Sequence, residues 1–302
     1  MKIIVTGGSG FVGSRLLPRL AAGGHDVILL TRDPESVRSR IDRRVAVELW
    51  DGKTVGVWAR QVDGADAVLN FAGESIGGKR WTAAQKGRII KSRVDGTTAI
   101  VSAIGKAFKK PATLINASAV GFYGPVEDGD VGEDHPRGET FLSETVEQWE
   151  KAAREAEKSD VRVVLLRSGV VLGKGGALER MVLPFKLFAG CPVGSGRQWF
   201  PWIHLDDLVG VVLFALNNPN VSGPVNVVAP QAMTMKEFSA ELGRVLHRPS
   251  WIPVPGFVLK VALGEMSEML LTGQRVVPGV LERQGYNFKF PQVAQALSNV
   301  LK

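Results

Sequence analysis

The chain has 302 residues, 45% of them hydrophobic and 22% charged, which suits a globular protein of two domains or of one domain with a substantial cap. Its formal net charge of +7 is spread along the chain with no recognition motif beside it, so an anionic cofactor or small-molecule substrate is the expected partner and nucleic acid is not. The longest apolar stretches, such as Val209 to Leu216, fall far short of the ~20 residues that cross a bilayer, so no membrane partner is expected either.

Residues 2–6 read as a buried strand that breaks directly into Thr6-Gly7-Gly8-Ser9-Gly10-Phe11-Val12-Gly13. Phe11 to Leu20 begins a helical pattern, so Gly7, Gly10 and Gly13 lie where a strand hands over to a helix. Such a turn lets the backbone approach a pyrophosphate, which rests on the free N–H groups of the helix start, here around Phe11, Val12 and Gly13. A second strand, His25 to Leu30, ends in Thr31-Arg32-Asp33. A carboxylate at this tip accepts from a ribose 2′-OH, whereas a guanidinium matches a 2′-phosphate. Thr31 stands at the expected carboxylate position with Arg32 after it, which favours NADP. A shift of one residue would instead hand the ribose to Asp33.

Strands three to six follow at 45–50, 65–71, 112–118 and 161–167, with helical patterns at 83–106 and 141–158 between them. Alternation of this kind predicts an α/β fold, a doubly wound parallel sheet with helices on both faces. Ligands of such a sheet lie outside the carboxyl ends of its strands, which adds Phe71-Ala72-Gly73, Ser118 to Gly124 and Ser168 to Gly173 to the candidate site. Beyond Gly173 the pattern loosens into Trp, Pro and Gly turns and a mostly helical tail from Met235. A cofactor domain at 1–173 and a smaller C-terminal substrate region at 174–302, with a helical tail at 250–302, are expected.

These segments together resemble an extended short-chain dehydrogenase/reductase, whose dinucleotide domain has the Rossmann fold. The opening glycine turn, Asn70-Phe71-Ala72-Gly73, Ala117-Ser118-Ala119-Val120-Gly121-Phe122-Tyr123-Gly124 and Arg167 to Gly173 carry the likeness. Gly73-Glu74-Ser75-Ile76, Arg80-Trp81, Ser92-Arg93, Phe200 to His204 and Leu270 to Pro278 narrow it to the atypical subgroup of the NAD-dependent epimerase/dehydratase family that ends in a domain of unknown function. The resemblance implies NADP binding with Arg88 and Arg93 near the cofactor, although a solvated helix face also accounts for both. Extended reductases often pair through two helices, so a homodimer is open.

One departure limits what the resemblance implies. The parent group uses a Tyr with a Lys four residues on, and neither of the two tyrosines here has one: Glu127 follows Tyr123 and Phe290 follows Tyr286 at that spacing. With Glu150 matched to the acidic residue that follows the pair, Leu142 and Val146 occupy the Tyr and Lys places. Ser118 could still bond a substrate oxygen and Tyr123 act as a weak acid; Tyr123 could equally be a packing residue. Trp202 and His204 suit a flat or apolar substrate, or else core and an N-cap. Glu133, Asp134, Glu144 and Glu147 read as surface charge.

Four histidines and the single Cys191 show no metal-ligand spacing, and no serine-hydrolase elbow is present. One cysteine and a direct entry into the first strand suit a cytoplasmic protein. Two functions remain: an NADP(H)-dependent oxidoreductase or epimerase-like enzyme acting on a small carbonyl or hydroxyl compound, and a non-catalytic NADP(H)-binding redox sensor.

Overall fold

Alternation of buried faces along the first strand sets the layout. In β1 (Lys2–Thr6), Ile3 and Val5 pack to one side and Ile4 to the other, and all three are fully buried. In the computed structural model, which describes residues 1–188, 190, 192–250 and 254–302, β1 lies inside a seven-stranded parallel sheet. Its other strands are β2 (Asp26–Thr31), β3 (Ala46–Leu49), β4 (Ala67–Asn70), β5 (Thr113–Ala119), β7 (Arg162–Ser168) and β10 (Gly223–Val227), in the order β10-β7-β5-β4-β1-β2-β3. Between them run short β6 (Asp130–Val131) and the pair β8 (Val170–Leu172) and β9 (Trp202–His204).

Helices cover both faces, as a parallel sheet requires. One core joins Ile3 and Val5 to α1 (Gly13–Ala22), α6 (Leu205–Asn217), α7 (Met235–Leu246) and α11 (Val293–Leu301). The other joins Ile4 and Val68 to α3 (Ala83–Lys106) and α4 (Phe141–Arg154). The remaining helices are α2 (Pro34–Arg38), α5 (Gly176–Lys186), α8 (Gly256–Leu263), α9 (Glu268–Leu271) and α10 (Gly279–Arg283). A short β11 (Arg275–Val276) pairs with β6 and anchors the C-terminal segment. No helix among the described residues is long and apolar enough to cross a membrane.

The doubly wound sheet and the helical tail match the expectation, but the sheet does not close at residue 173. After an excursion through α5 and β9 the chain returns as α6 and lays β10 against β7, with Val225 opposite Leu166. Gly223 and Pro224 hid this strand in the sequence; a proline is tolerated because β10 is an edge strand. The apolar run around Val209 is α6, buried against the sheet. Cys191 and the start of the expected tail at 251–253 lie outside the described residues.

Candidate functional site

Strand order reverses between β1 and β4, so the loops after these two strands flank a crevice at the carboxyl edge. The glycine turn sits there and is built close to its neighbours. Gly7 has φ +67°, and a Cβ on it would lie 2.4 Å from the Phe71 carbonyl oxygen. A Cβ on Gly13 would meet the Gly8 Cα at 2.3 Å. Gly10 donates its N–H to the Gly7 carbonyl and is itself exposed. The Phe11, Val12 and Gly13 N–H groups, at the start of α1, have no acceptor among the described residues. Three free donors and the positive end of a helix dipole fit a pyrophosphate.

At the end of β2, Arg32 and Asp33 are placed differently. The Asp33 carboxylate is the N-cap of α2, accepting from the Ser36 N–H at 3.1 Å, and those bonds hold its pKa below the usual carboxylate range. Arg32 is exposed, its stem lies beside Gly52, and its guanidinium has no acceptor among the described residues. Thr31 is half-buried, and its hydroxyl accepts from the Asp33 N–H. One oxygen of the carboxylate is taken by the cap, and the guanidinium has no acceptor among the described residues.

After β4 a buried polar chain fixes the edge. The Thr6 hydroxyl donates to Asn70 Oδ1 and accepts from the Ala72 N–H, while the Asn70 amide donates to Thr97 and to Asn116. Phe71, Ala72 and Gly73 are thereby held facing the glycine turn. Arg93 of α3 packs against Gly73, donates to the Glu74 and Ile89 carbonyls, and lies over the Trp149 ring. Burial lowers its pKa to about 10, with Glu74 opposing, so it stays cationic at neutral pH. Arg88 is exposed and bonded to Gln85, one turn away from this cluster.

Ser118 and Tyr123, the candidate proton-handling pair, sit on the side of the edge where β5 and β7 end, and both are buried. The Ser118 hydroxyl donates to Glu150 Oε1 at 2.6 Å. Glu150 accepts a bidentate pair from Arg167, at 2.8 Å through both nitrogens. Arg167 also donates to the Tyr123 hydroxyl and stacks over Phe122, 3.6 Å from the ring centroid. Tyr123 in turn donates to Asn226 Oδ1 at 2.6 Å. Burial raises the phenol pKa despite Arg167, so the hydroxyl is protonated and saturated rather than aimed at the crevice. Leu142 and Val146, which the resemblance matches to the Tyr and Lys places, lie on α4, and neither side chain can give or accept a proton.

Three other assignments are corrected. Trp202 is 1% exposed and gives its indole N–H to the Gln231 carbonyl, which makes it core. His204 is equally enclosed: it caps α6 by accepting the Asp206 N–H on Nδ1 and stacks on Phe290. Burial lowers its pKa, so it is neutral at neutral pH. Glu133, read as surface charge, is buried and accepts the Asn226 and Val280 N–H groups. No local sequence signal marked Glu133 or Arg167, because their partners lie far along the chain.

Known proteins match the chain along its whole length. Residues 3–229 match the NAD dependent epimerase/dehydratase family, and residues 254–300 match a domain of unknown function, DUF1731. The whole chain is 42% identical to the epimerase family protein SDR39U1 homolog, chloroplastic, of Arabidopsis thaliana, covering 87% of that protein. It is 40% identical to the epimerase family protein YfhF of Bacillus subtilis, covering 98% of it. Among solved structures, human epimerase family protein SDR39U1 (isoform 2) with NADPH superposes with a TM-score of 0.88 at 37% identity, over 99% of both chains. With the family match running through every strand of the large sheet, the chain belongs to the NAD-dependent epimerase/dehydratase family.

Proposed function

We propose that this protein is an NADP(H)-dependent oxidoreductase or epimerase-like enzyme that acts on a small carbonyl or hydroxyl compound without the Tyr–Lys pair. The carrying observation is the division of labour at the β2 tip: Asp33 caps α2 while Arg32 stands free. In this reading the Phe11, Val12 and Gly13 N–H groups hold the pyrophosphate, and Thr31 and Arg32 take the 2′-phosphate. Phe71, Ala72 and Gly73 line the adjoining edge, with Arg93 behind them. The bound nicotinamide would supply or accept hydride. Ser118 and Tyr123 act as positioning residues, tying β5 to β7 and β10 beneath the site, and the substrate oxygen exchanges its proton with water. The human relative's NADPH supports the choice of cofactor. A single small-molecule substrate and a cytoplasmic setting belong to the same reading.

The second reading, a non-catalytic NADP(H) sensor, is favoured by the Ser118 and Tyr123 hydroxyls, whose protons are both given to buried side chains. It requires different affinities for the oxidised and reduced cofactor, because a ligand that binds two states equally shifts neither. Calorimetric titration with NADPH, NADP⁺, NADH and NAD⁺, beside Arg32→Ala, tests the cofactor. Preference for the phosphorylated pair, lost in the variant, is expected; equal or tighter binding of the other pair would return the ribose to Asp33. NADPH oxidation across a panel of aldehydes and ketones separates enzyme from sensor.

A further inference from the structure

Helix α8 reads Gly-Phe-Val-Leu-Lys-Val-Ala-Leu, yet it buries none of its residues. Phe257 and Val261, one turn apart, are 70% and 77% exposed. The end of α5 repeats the pattern: Leu183 and Leu187, also one turn apart, are 58% and 70% exposed. A surface helix ordinarily turns such a stripe inward. Here two helices leave theirs uncovered.

Both helices border the same loop, the one that leaves β4 beside the glycine turn. Arg180 of α5 donates to the Gly77 carbonyl, and Arg80 donates to the Val261 carbonyl of α8. The segments next to them pair as well, with the Val254 N–H on the Pro192 carbonyl at 3.0 Å. At its other end α5 starts against the cofactor turn, since a Cβ on Gly176 would lie 3.1 Å from the Phe11 ring. Positions 176, 180, 183 and 187 share one helix face, so the α5 face that carries Leu183 and Leu187 begins at the proposed cofactor site. A cavity of about 590 Å³ opens beside α8, bounded mostly by polar residues, Lys260, Glu265, Ser267, Glu268 and Thr272, with Leu271.

Charge around the wall is unbalanced. Lys79, Arg80, Arg180 and Lys260 are exposed along its rim. Of the acidic groups on the same elements, Glu265 is paired with Lys86, which leaves Glu74, Glu179 and Glu268 against those four cations. A sugar-rich ligand needs hydrogen-bond partners for each hydroxyl it buries, and aliphatic and phenyl side chains supply none.

We propose that the substrate is an amphiphile with an aliphatic or aromatic body and one anionic end, its body lying against the α5–α8 wall and its charge at the basic rim. The proposal rests on the enzyme reading above and gives the C-terminal segment its task. The test is calorimetric titration of sodium dodecanoate, and separately UDP-glucose, into the NADPH-saturated protein and into Leu183→Asp and Val261→Asp. Both substitutions are at exposed positions, and Val261→Ser serves as a milder second variant.

Saturable one-to-one dodecanoate binding, weakened about tenfold or more in each aspartate variant with NADPH affinity unchanged, is the expected result, tenfold being about 1.4 kcal/mol. Absence of saturable binding, binding indifferent to both aspartates, or tighter UDP-glucose binding would overturn it. So would a sedimentation shift from dimer to monomer in the variants without dodecanoate binding, which assigns the wall to a second copy. If NADPH itself fails to bind, the cofactor reading falls separately, and the dodecanoate titration without it still reads the wall.

Discussion

The two halves of the sheet's carboxyl edge differ in what they do with polar groups. Where β1, β2 and β4 end, the Phe11, Val12 and Gly13 N–H groups and the Arg32 guanidinium have no acceptor among the described residues. Where β5, β7 and β10 end, Ser118, Tyr123, Glu150, Arg167 and Asn226 satisfy one another in a closed, buried network. An unpaired polar group at an exposed edge costs little and is available to a ligand. A buried one must be paired, so it is spent on structure. The first half is therefore open to a ligand, and the second is spent on rigidity.

Breaking the network should produce the largest effect. Arg167→Met strands the Glu150 carboxylate in the core and should cost about 3–5 kcal/mol, read as a fall in the denaturant midpoint; Arg167→Met with Glu150→Leu should recover part of that loss. Next comes Tyr123→Phe, which leaves Asn226 Oδ1 without its donor and should cost about 2 kcal/mol. Cofactor affinity should change by less than about twofold in that variant, since the comparison keeps Tyr123 out of the cofactor's reach. A large loss of NADPH binding with unchanged stability would erase the distinction between the two halves.

On the open half, Arg32→Ala should leave stability unchanged and weaken NADPH about tenfold while sparing NADH, about 1.4 kcal/mol in calorimetry. The smallest effect is acid-linked. Arg15 holds the Asp206 pKa down to about 2, against 3.8 unperturbed. A depressed carboxylate pKa contributes stability that is fully present above the unfolded value and lost as pH falls through the folded one. The Arg15–Asp206 contribution should therefore disappear between about pH 4 and pH 2. Arg15 is half exposed, so solvent screens the pair to about 1 kcal/mol. Asp206→Asn should flatten the stability profile in that window, measured by thermal melts.

Much of the open half was legible in the sequence. A strand, three glycines and a helix start are consecutive, and their geometry follows from local backbone rules. The helix at 83–106 was likewise readable from its period. The saturated half was not, because Ser118 meets Glu150 across 32 residues and Tyr123 meets Asn226 across 103. A serine and a tyrosine at a strand end look the same whether their hydroxyls face a ligand or a buried carboxylate. His204 and Trp202 misled for a related reason: aromatic residues beside a turn suit a pocket and a core equally.

By itself, the amino-acid sequence determined the parallel α/β architecture, the glycine turn and the absence of a Tyr–Lys pair, all of them properties of residues adjacent in the chain or spaced by helix and strand periods. Tertiary structure decided the rest. It returned β10 to the sheet and sealed Ser118, Tyr123 and His204 inside. Each of those outcomes depends on which partner a polar group finds once water is excluded, and that choice is made only when distant segments pack.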